Sequence, residues 1–203
     1  MKIRFPNPYG YFPPPAAEAV TTLQSQSGFS EDYAEFLRTQ NGLSFDRLGA
    51  AGDAASRYLH GQPDAPAYPD LRVLYGYQCG DPHYELGDRL NPEGNMFHRV
   101  LLAVGEGYDG NLYVEVLAGQ HKGCIASLDH ELHAASDSLQ DFCDEMELGD
   151  PDALSAAALA DRLMDEDLGL AWKHADSFDQ FLCECVHLDT EGGGFVRDAG
   201  TSA

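Results

Sequence analysis

The residues with the strongest potential for metal chemistry are the two cysteines and the histidine of 183–187, Cys-Glu-Cys-Val-His. Structural zinc sites use such side chains, but they need four ligands around one ion. On a helix, side chains two residues apart point about 200° away from each other, so Cys183 and Cys185 cannot bind the same zinc ion. We therefore predict no metal and no cofactor, with Cys185 in the core and Cys183 a partly exposed thiol.

A second candidate for chemistry is Asp129-His130-Glu131, at the end of a predicted strand, which could supply a general base or a ligand. Side chains alternate along a strand, so only Asp129 and Glu131 would share a side. No partner nucleophile can be recognised, and the pattern favours a solvent-exposed turn over catalysis. A hydrolase that uses Asp129 or His130 is therefore the weakest functional alternative.

The glycine-rich stretch 105–110, Gly-Glu-Gly-Tyr-Asp-Gly, has the composition of a phosphate-binding loop. It lacks the lysine of a P-loop, its two carboxylates would repel phosphate, and a strand rather than a helix follows it. A connection between two antiparallel strands explains Gly105, Asp109 and Gly110 better. The sequence also contains neither a Gly-x-Ser-x-Gly elbow nor a His-Glu-x-x-His helix. We therefore predict a protein that is not an enzyme.

The charge of the chain narrows the choice of ligand. Of 203 residues, 34 are Asp or Glu and 12 are Lys or Arg, which gives a formal net charge of −22. Nucleic acids and anionic membranes both require clustered cations, so we expect neither as a partner. A cationic protein is the natural complement, because a strong field of one sign accelerates association. The alternative is that the charge only keeps the protein in solution.

Much of the negative charge lies in one segment. Between residues 134 and 170 there are eleven acidic side chains and a single cation, Arg162. The candidate partner-binding residues are Asp141, Asp144, Glu145 and Glu147 on one predicted helix and Asp161, Asp165, Glu166 and Asp167 on a second. Like charges at i, i+4 cost a helix about 0.2–0.5 kcal/mol per pair, and a solvated helix face normally mixes both signs. The segment therefore favours a docking surface for a basic protein.

The best-marked helix of the first half begins at the N-cap Ser30. Its apolar residues Tyr33, Phe36 and Leu37 fall at i, i+3 and i+4. Asn41-Gly42 supplies a left-handed stop after its last turn.

Other segments of the first half and the C-terminus are less regular. Prolines exclude a regular helix from an N-terminal arm, residues 1–15, which we expect to lie on the domain. Residues 16–26 have the spacing of a short helix. Residues 44–68 lose apolar periodicity, which predicts an insertion with at most one short helix, around 54–59. Glycines after 190 predict a flexible tail, 190–203.

The middle of the chain predicts a sheet. Residues 71–77 alternate between apolar and other side chains, 100–104 form a continuous apolar run, and 112–116 alternate again. A further short strand is predicted at 124–128. The expected fold is α+β, with a mainly antiparallel sheet of about four to six strands flanked by helices.

Helical spacing returns in the second half. Leu139 to Met146 and Leu154 to Leu163 have the apolar spacing of two amphipathic helices, which form an acidic insertion at 134–170. Ser177 forms a capping box with Gln180 at the start of a last helix. Its apolar stripe contains Phe178, Phe181, Leu182, Cys185 and Val186.

Three features that the sequence lacks indicate the cellular compartment of the protein. Its five cysteines are scattered and odd in number, which does not indicate a disulfide framework. Residues 1–12 contain no apolar core of a signal peptide. No apolar run approaches the roughly 20 residues that span a bilayer. We expect a cytoplasmic protein.

Four pieces of the chain, in the same order, resemble the SUKH superfamily, the cell-wall-assembly-regulator-like proteins. The helix 32–37 running into Asn41-Gly42 is similar to the opening motif, 102–106 with 109–112 to the glycine-rich hairpin, 127–131 to the closing strand and 175–182 to the terminal helix. The residues that carry the resemblance are Tyr33, Phe36, Leu37, Asn41, Gly42, Gly105, Asp109, Gly110, Asp129, Ser177, Phe178, Phe181 and Leu182.

The resemblance implies a single SUKH-like domain, residues 1–189, without catalytic residues. Many bacterial members of this superfamily are immunity proteins that bind and neutralise a cognate toxin, commonly a nuclease. An acidic surface could occupy the site where such a nuclease binds phosphates. A regulatory or scaffold module of the same fold is the alternative.

Overall fold

The computed structural model describes residues 12–44, 57–59, 71–107, 110–182 and 186–188. Its helices are α1 Ala17–Ser27, α2 Glu31–Thr39, α3 His130–Ala134, α4 Leu139–Glu145, α5 Ala156–Leu163 and α6 Phe178–Gln180, with a 3-10 helix at Leu86–Arg89. Its strands are β1 Leu43–Ser44, β2 Arg57–Leu59, β3 Leu71–Leu74, β4 Leu101–Gly107, β5 Leu112–Val116, β6 Ile125–Leu128, β7 Ala171–Ala175 and β8 Val186–Leu188.

Six of the strands form one antiparallel sheet in the order β1-β3-β4-β5-β6-β7. From β3 to β7, each strand pairs with the next strand of the chain, so this part of the sheet is a meander. Strands β2 and β8 form a separate antiparallel pair. The prediction of an α+β fold with an antiparallel sheet of four to six strands is confirmed.

The sheet lies between two apolar cores. All five side chains of β5 are buried, and they alternate between the two faces of the sheet. Leu112, Val114 and Val116 belong to the core that α4 and α5 cover. Tyr113 belongs to the core that α1, α2 and α6 cover. The chain is therefore built in three layers, with helices on both sides of the sheet.

Helix α2 forms where its capping and apolar spacing predict it. The hydroxyl oxygen of the N-cap Ser30 accepts the backbone N–H of Tyr33 at 3.3 Å. Tyr33, Phe36 and Leu37 are buried. The ring centroids of Tyr33 and Phe178 lie 4.8 Å apart, so α2 packs directly on α6. The predicted helix from Ser30 onward is confirmed, and α1 confirms the helix that the spacing of residues 16–26 predicts.

The stop after α2 also joins two parts of the chain. Asn41 and Gly42 are both left-handed, with φ of 52° and 89°. The buried amide of Asn41 donates to the carbonyls of Pro13 at 2.7 Å and Tyr77 at 3.0 Å, and its Oδ1 accepts the N–H of Tyr77 at 2.7 Å. A Cβ on Gly76 would lie 2.5 Å from the Asn41 carbonyl oxygen. Asn41-Gly42 therefore fixes α2 to the segment after β3.

Two segments that were predicted to be helical form strands instead. Residues 57–59 form β2, so the short helix expected around 54–59 is wrong for these residues. Val186 lies in β8, so the last helix does not continue through it as its spacing predicted. The reason is that β8 pairs with β2, more than 120 residues away in the chain, and such non-local pairing overrides local helical spacing. The capped start of the helix is confirmed, since Ser177 Oγ accepts the N–H of Gln180 at 3.1 Å.

Several predictions fall outside the described residues. They concern residues 1–11 of the arm, most of the insertion 44–68, Asp109, Cys183, Cys185 and the tail 190–203. Of the arm, Phe12 is buried and its ring centroid lies 5.5 Å from that of Tyr84. None of the helices in the described ranges is both long and apolar enough to cross a membrane.

Candidate functional site

Helices α4 and α5 position the acidic side chains. Each helix starts at a serine N-cap: Ser138 Oγ accepts the N–H of Asp141, and Ser155 Oγ accepts the N–H of Ala158, both at 3.1 Å. Phe142 of α4 and Leu159 of α5 are buried against the sheet. The inward sides are thus apolar, and the charged side chains face outward. The two predicted amphipathic helices are confirmed.

The candidate partner-binding residues differ in exposure. Asp161 is half-buried. The exposed ones are Asp141, Asp144, Glu145, Glu147, Asp165, Glu166 and Asp167. Six of these seven gather at the C-terminal ends of the two helices: Asp144, Glu145 and Glu147 at the end of α4, and Asp165, Glu166 and Asp167 after α5. The prediction that these last three lie on the second helix is wrong, because α5 ends at Leu163. We call these six residues the acidic patch.

A helix C-terminus is an unfavourable place for carboxylates. The unsatisfied carbonyls there carry a partial negative charge, which disfavours a nearby anion by roughly 0.3–1 kcal/mol. Helix α4 has no basic residue in its last turn. The acidic patch therefore lowers the local stability of the fold.

Arg162 connects the two halves of the acidic patch. It lies in the last turn of α5, and its guanidinium donates to the carbonyl oxygen of Leu148, directly after Glu147. The end of α4 is thus a neighbour of the end of α5. Within the described part of the chain, Asp152 is the one carboxylate of 134–170 in an ion pair with Lys or Arg, with Arg99 at 3.4 Å. The carboxylates of the patch form no such pair there.

Glu147 occupies a backbone position that suits glycine. Its φ is 55°, and the N–H of the following Leu148 donates to the carbonyl of Cys143 at 2.8 Å. This is the Schellman arrangement, in which the left-handed residue after a helix is usually glycine. A glutamate here bears both a backbone cost and the repulsion of the helix end.

Two of the candidate residues also hold the fold together. Asp161 Oδ1 accepts the backbone N–H of Gln120 at 2.6 Å, in the turn between β5 and β6. Glu145 Oε2 accepts the hydroxyl of Ser136 at 2.9 Å. Exposure alone therefore does not separate partner-binding carboxylates from structural ones.

Asp129 and His130 lie at the start of α3 and not on a strand, so the strand-like alternation expected of residues 129–131 is wrong. Asp129 is its N-cap, and its Oδ1 accepts the N–H of Glu131 at 2.8 Å. The backbone N–H of His130 donates to Asn111 Oδ1 at 2.9 Å. The strand β6 ends one residue earlier, at Leu128. Both residues therefore have a structural role in the connection from the sheet to α3.

His174 and Ser127 form a contact that no sequence motif predicts. His174 Nε2 lies 2.9 Å from Ser127 Oγ, which links β7 to β6. Such a pair can activate a nucleophile. Ser127 is only 2% exposed, however, which leaves a substrate no access to its hydroxyl. Burial lowers the pKa of His174 to about 4, so the imidazole is neutral near pH 7.

Cys79, Cys124 and Cys143 are free cysteines within the described residues. Burial raises the pKa of Cys79 to about 11 and also raises that of Cys124 and Cys143, which disfavours their reactive thiolate forms. No three His, Cys, Asp or Glu side chains of the described ranges are grouped in a way that could hold a metal ion.

Comparisons of the chain with family models, with curated proteins and with solved structures found no match. The fold and the geometry of its surface are therefore the basis for assigning a function.

Proposed function

We propose that this chain is a non-catalytic protein-binding domain whose acidic patch contacts a cationic protein. The observation that carries the proposal is the concentration of charge. In residues 134–170, eleven carboxylates against one arginine leave −10 of the formal −22. Six of the ten exposed carboxylates of this segment crowd two neighbouring helix ends.

The local cost of the patch supports a functional role. Glutamate at φ 55° and carboxylates at helix C-termini each lower stability, and a surface that only confers solubility has no need of them at these places. Residues that lower stability are typical of functional sites, because activity and stability compete there.

A patch of this kind acts mainly on the rate of association. Opposite charges on two proteins guide their encounter and raise association rate constants by roughly 10- to 1000-fold over uncharged surfaces. The effect weakens as salt screens the charges, with a Debye length near 8 Å at physiological ionic strength. Binding through this patch should therefore be fast at low salt and slower at high salt.

We further propose that the partner is a bacterial toxin domain and that the chain is its immunity protein. The resemblance of the α2 motif, the β4–β5 hairpin and the start of α6 to the SUKH superfamily supports this assignment. A nuclease toxin binds phosphates with a cationic surface, which carboxylates complement. The alternative is a regulatory or scaffold module of the same fold that binds another basic protein through the same patch.

The decisive test is rescue from toxicity. The proteins encoded by the neighbouring genes are expressed in a bacterial host, each with and without this chain. An immunity protein restores growth against one neighbour and forms a complex with it. If no neighbouring product is toxic, or if the toxic one kills equally in the presence of the chain, the immunity assignment fails and the scaffold alternative is left.

The role of the patch is tested with paired charge reversals on the purified complex. Glu166→Lys with Asp167→Lys removes two patch carboxylates whose side chains accept no hydrogen bond from the described residues. Glu18→Lys with Glu93→Lys makes the same change in net charge at exposed sites elsewhere. The patch variant should associate at least tenfold more slowly at low salt, and the control should change far less. Equal effects of the two pairs would mean that only net charge matters.

A further inference from the structure

Glu115 is a carboxylate buried in the centre of the fold, away from the acidic patch. It lies in the middle of β5 and is 1% exposed. Its neighbours across the sheet are Leu102 of β4 and Ile125 of β6, both in the apolar core under α1 and α2. A charge in such surroundings is costly unless hydrogen bonds satisfy it.

Ser30 binds both oxygens of Glu115. The backbone N–H of Ser30 donates to Oε1 at 2.6 Å, and its hydroxyl donates to Oε2 at 3.0 Å. The same hydroxyl oxygen accepts the N–H of Tyr33 and so caps α2. The central strand and the N-terminus of α2 are thus joined through a single serine.

The electrostatic surroundings of Glu115 contain no compensating ion pair within the described ranges. Burial raises the pKa of Glu115 to about 7 from an ordinary value of 4.5, and the hydrogen bonds from Ser30 oppose this only in part. Asp32 of α2 also raises the pKa, while Lys122, in the turn after β5, lowers it. Burial keeps Tyr33 neutral by raising its pKa, and its hydroxyl donates to the carbonyl of Tyr75 at 3.1 Å.

We propose that Glu115 and Ser30 form a proton-dependent latch that holds α1 and α2 on the sheet. Protonated Glu115 fits the apolar core, and its carboxyl group can donate to Ser30 Oγ in place of the present hydrogen bond. Ionised Glu115 carries a charge that water would solvate if the start of α2 separated from β5. Proton release therefore favours local opening of the helix pair, independently of any role of the acidic patch.

The direction of the pH dependence follows from the protonation of Glu115 in the closed form and in the open form. The closed form binds the proton more tightly than the open form, in which Glu115 regains its ordinary pKa of 4.5. The latch is therefore tightest below pH 4.5 and weakens as the pH rises through about 7, with no further change above. Between these values, the opening equilibrium constant rises by up to about tenfold per pH unit.

Amide hydrogen exchange measured from pH 5 to 8.5, corrected for intrinsic exchange rates, tests the latch. In the wild-type chain, the opening constant of α1 and α2 amides should rise steeply and level off near pH 7. Glu115→Gln should abolish this rise. Glu18→Gln, at an exposed site on α1, should leave it unchanged. Amides of β4 to β6 report on global unfolding, and exchange of α1 and α2 only together with them would overturn the local latch.

A direct titration keeps the inference testable if Glu115→Gln does not fold. The side-chain carboxyl carbon of Glu115, followed by NMR, should titrate near pH 7. Asp32→Asn should lower the midpoint, and Lys122→Gln should raise it. A midpoint near 4.5 in the wild-type chain would overturn the proposal.

Discussion

The carboxylate of Asp161 accepts the backbone N–H of Gln120 at 2.6 Å and thereby attaches α5 to the turn between β5 and β6. Gly119, next to it, is left-handed with φ 78°. A Cβ on Gly119 would lie 2.2 Å from Asp161 Oδ1, so only glycine allows this approach. Asp161 lies in the acidic segment of the sequence, but its contacts show that it stabilises the fold.

Asp161→Ala should therefore destabilise the fold. Loss of a hydrogen bond to a charged group costs about 1.5–3 kcal/mol in free energy of unfolding, measurable by urea denaturation. Glu166→Ala, at an exposed site of the same segment, should change it by less than about 0.5 kcal/mol. Equal losses in both variants would contradict the structural role of Asp161.

Glu147→Gly should stabilise the protein. Glycine suits φ 55° better and removes a charge from the end of α4, for a gain of about 0.5–1 kcal/mol in thermal or urea unfolding. Gly149→Ala, at φ 88°, is the reverse change two residues later and should destabilise by a similar amount. If Glu147→Gly also slows association with the partner, Glu147 lowers the stability of the fold but contributes to binding.

Ser30→Ala should cost more than an ordinary N-cap substitution. It removes the cap of α2, worth about 1 kcal/mol, and leaves Glu115 Oε2 without its hydroxyl donor, for a total of about 2–4 kcal/mol. Ser155→Ala removes only the exposed cap of α5 and should cost about 1 kcal/mol. The two variants are compared by urea unfolding at pH 7.

His174 should weaken the fold in acid. Its pKa is lowered from 6.5 to about 4 by burial, so the folded protein binds this proton less tightly than the unfolded chain. Stability is thus lost as the pH falls below 6.5, by about 2–3 kcal/mol at pH 4.5. His174→Gln should remove this part of the acid sensitivity, whereas His83→Gln, at an exposed site, should keep it. Unfolding free energies at pH 7.5 and 4.5 decide between them.

Gly76→Ala should disturb the join between α2 and the segment after β3. The new Cβ would meet the Asn41 carbonyl oxygen at 2.5 Å, and neither backbone can easily move. We expect a loss of about 1–3 kcal/mol. At Gly87, the nearest atom to a Cβ is 3.4 Å away in the Glu85 side chain, so Gly87→Ala should change stability by less than about 1 kcal/mol.

Local signals predicted the helices that carry their own caps. Ser30, Ser177 and the apolar spacing of α4 and α5 act within a few residues, so the sequence alone places these helices. The continuous apolar run at 100–104 likewise predicts β4, which runs from Leu101 to Gly107.

The elements that the sequence did not predict depend on distant parts of the chain. Strand β7 contains Trp172, Lys173 and His174 in succession, which lacks the alternation of a strand, and it forms by pairing with β6. From the sequence, Glu115 would be expected on a solvent-facing side of its strand. In the structure it is buried, because helices cover both faces of β5. Its hydrogen bond to Ser30 spans 85 residues, and no local pattern predicts such a contact.

The separation of the two cores by the sheet has a consequence for how the protein can diverge. Substitutions beneath α4 and α5 touch few of the side chains beneath α1 and α2, so their energetic effects should be nearly additive. During evolution, the residues of α4 and α5 could therefore change to recognise a new partner while the core beneath α1 and α2 stays unchanged.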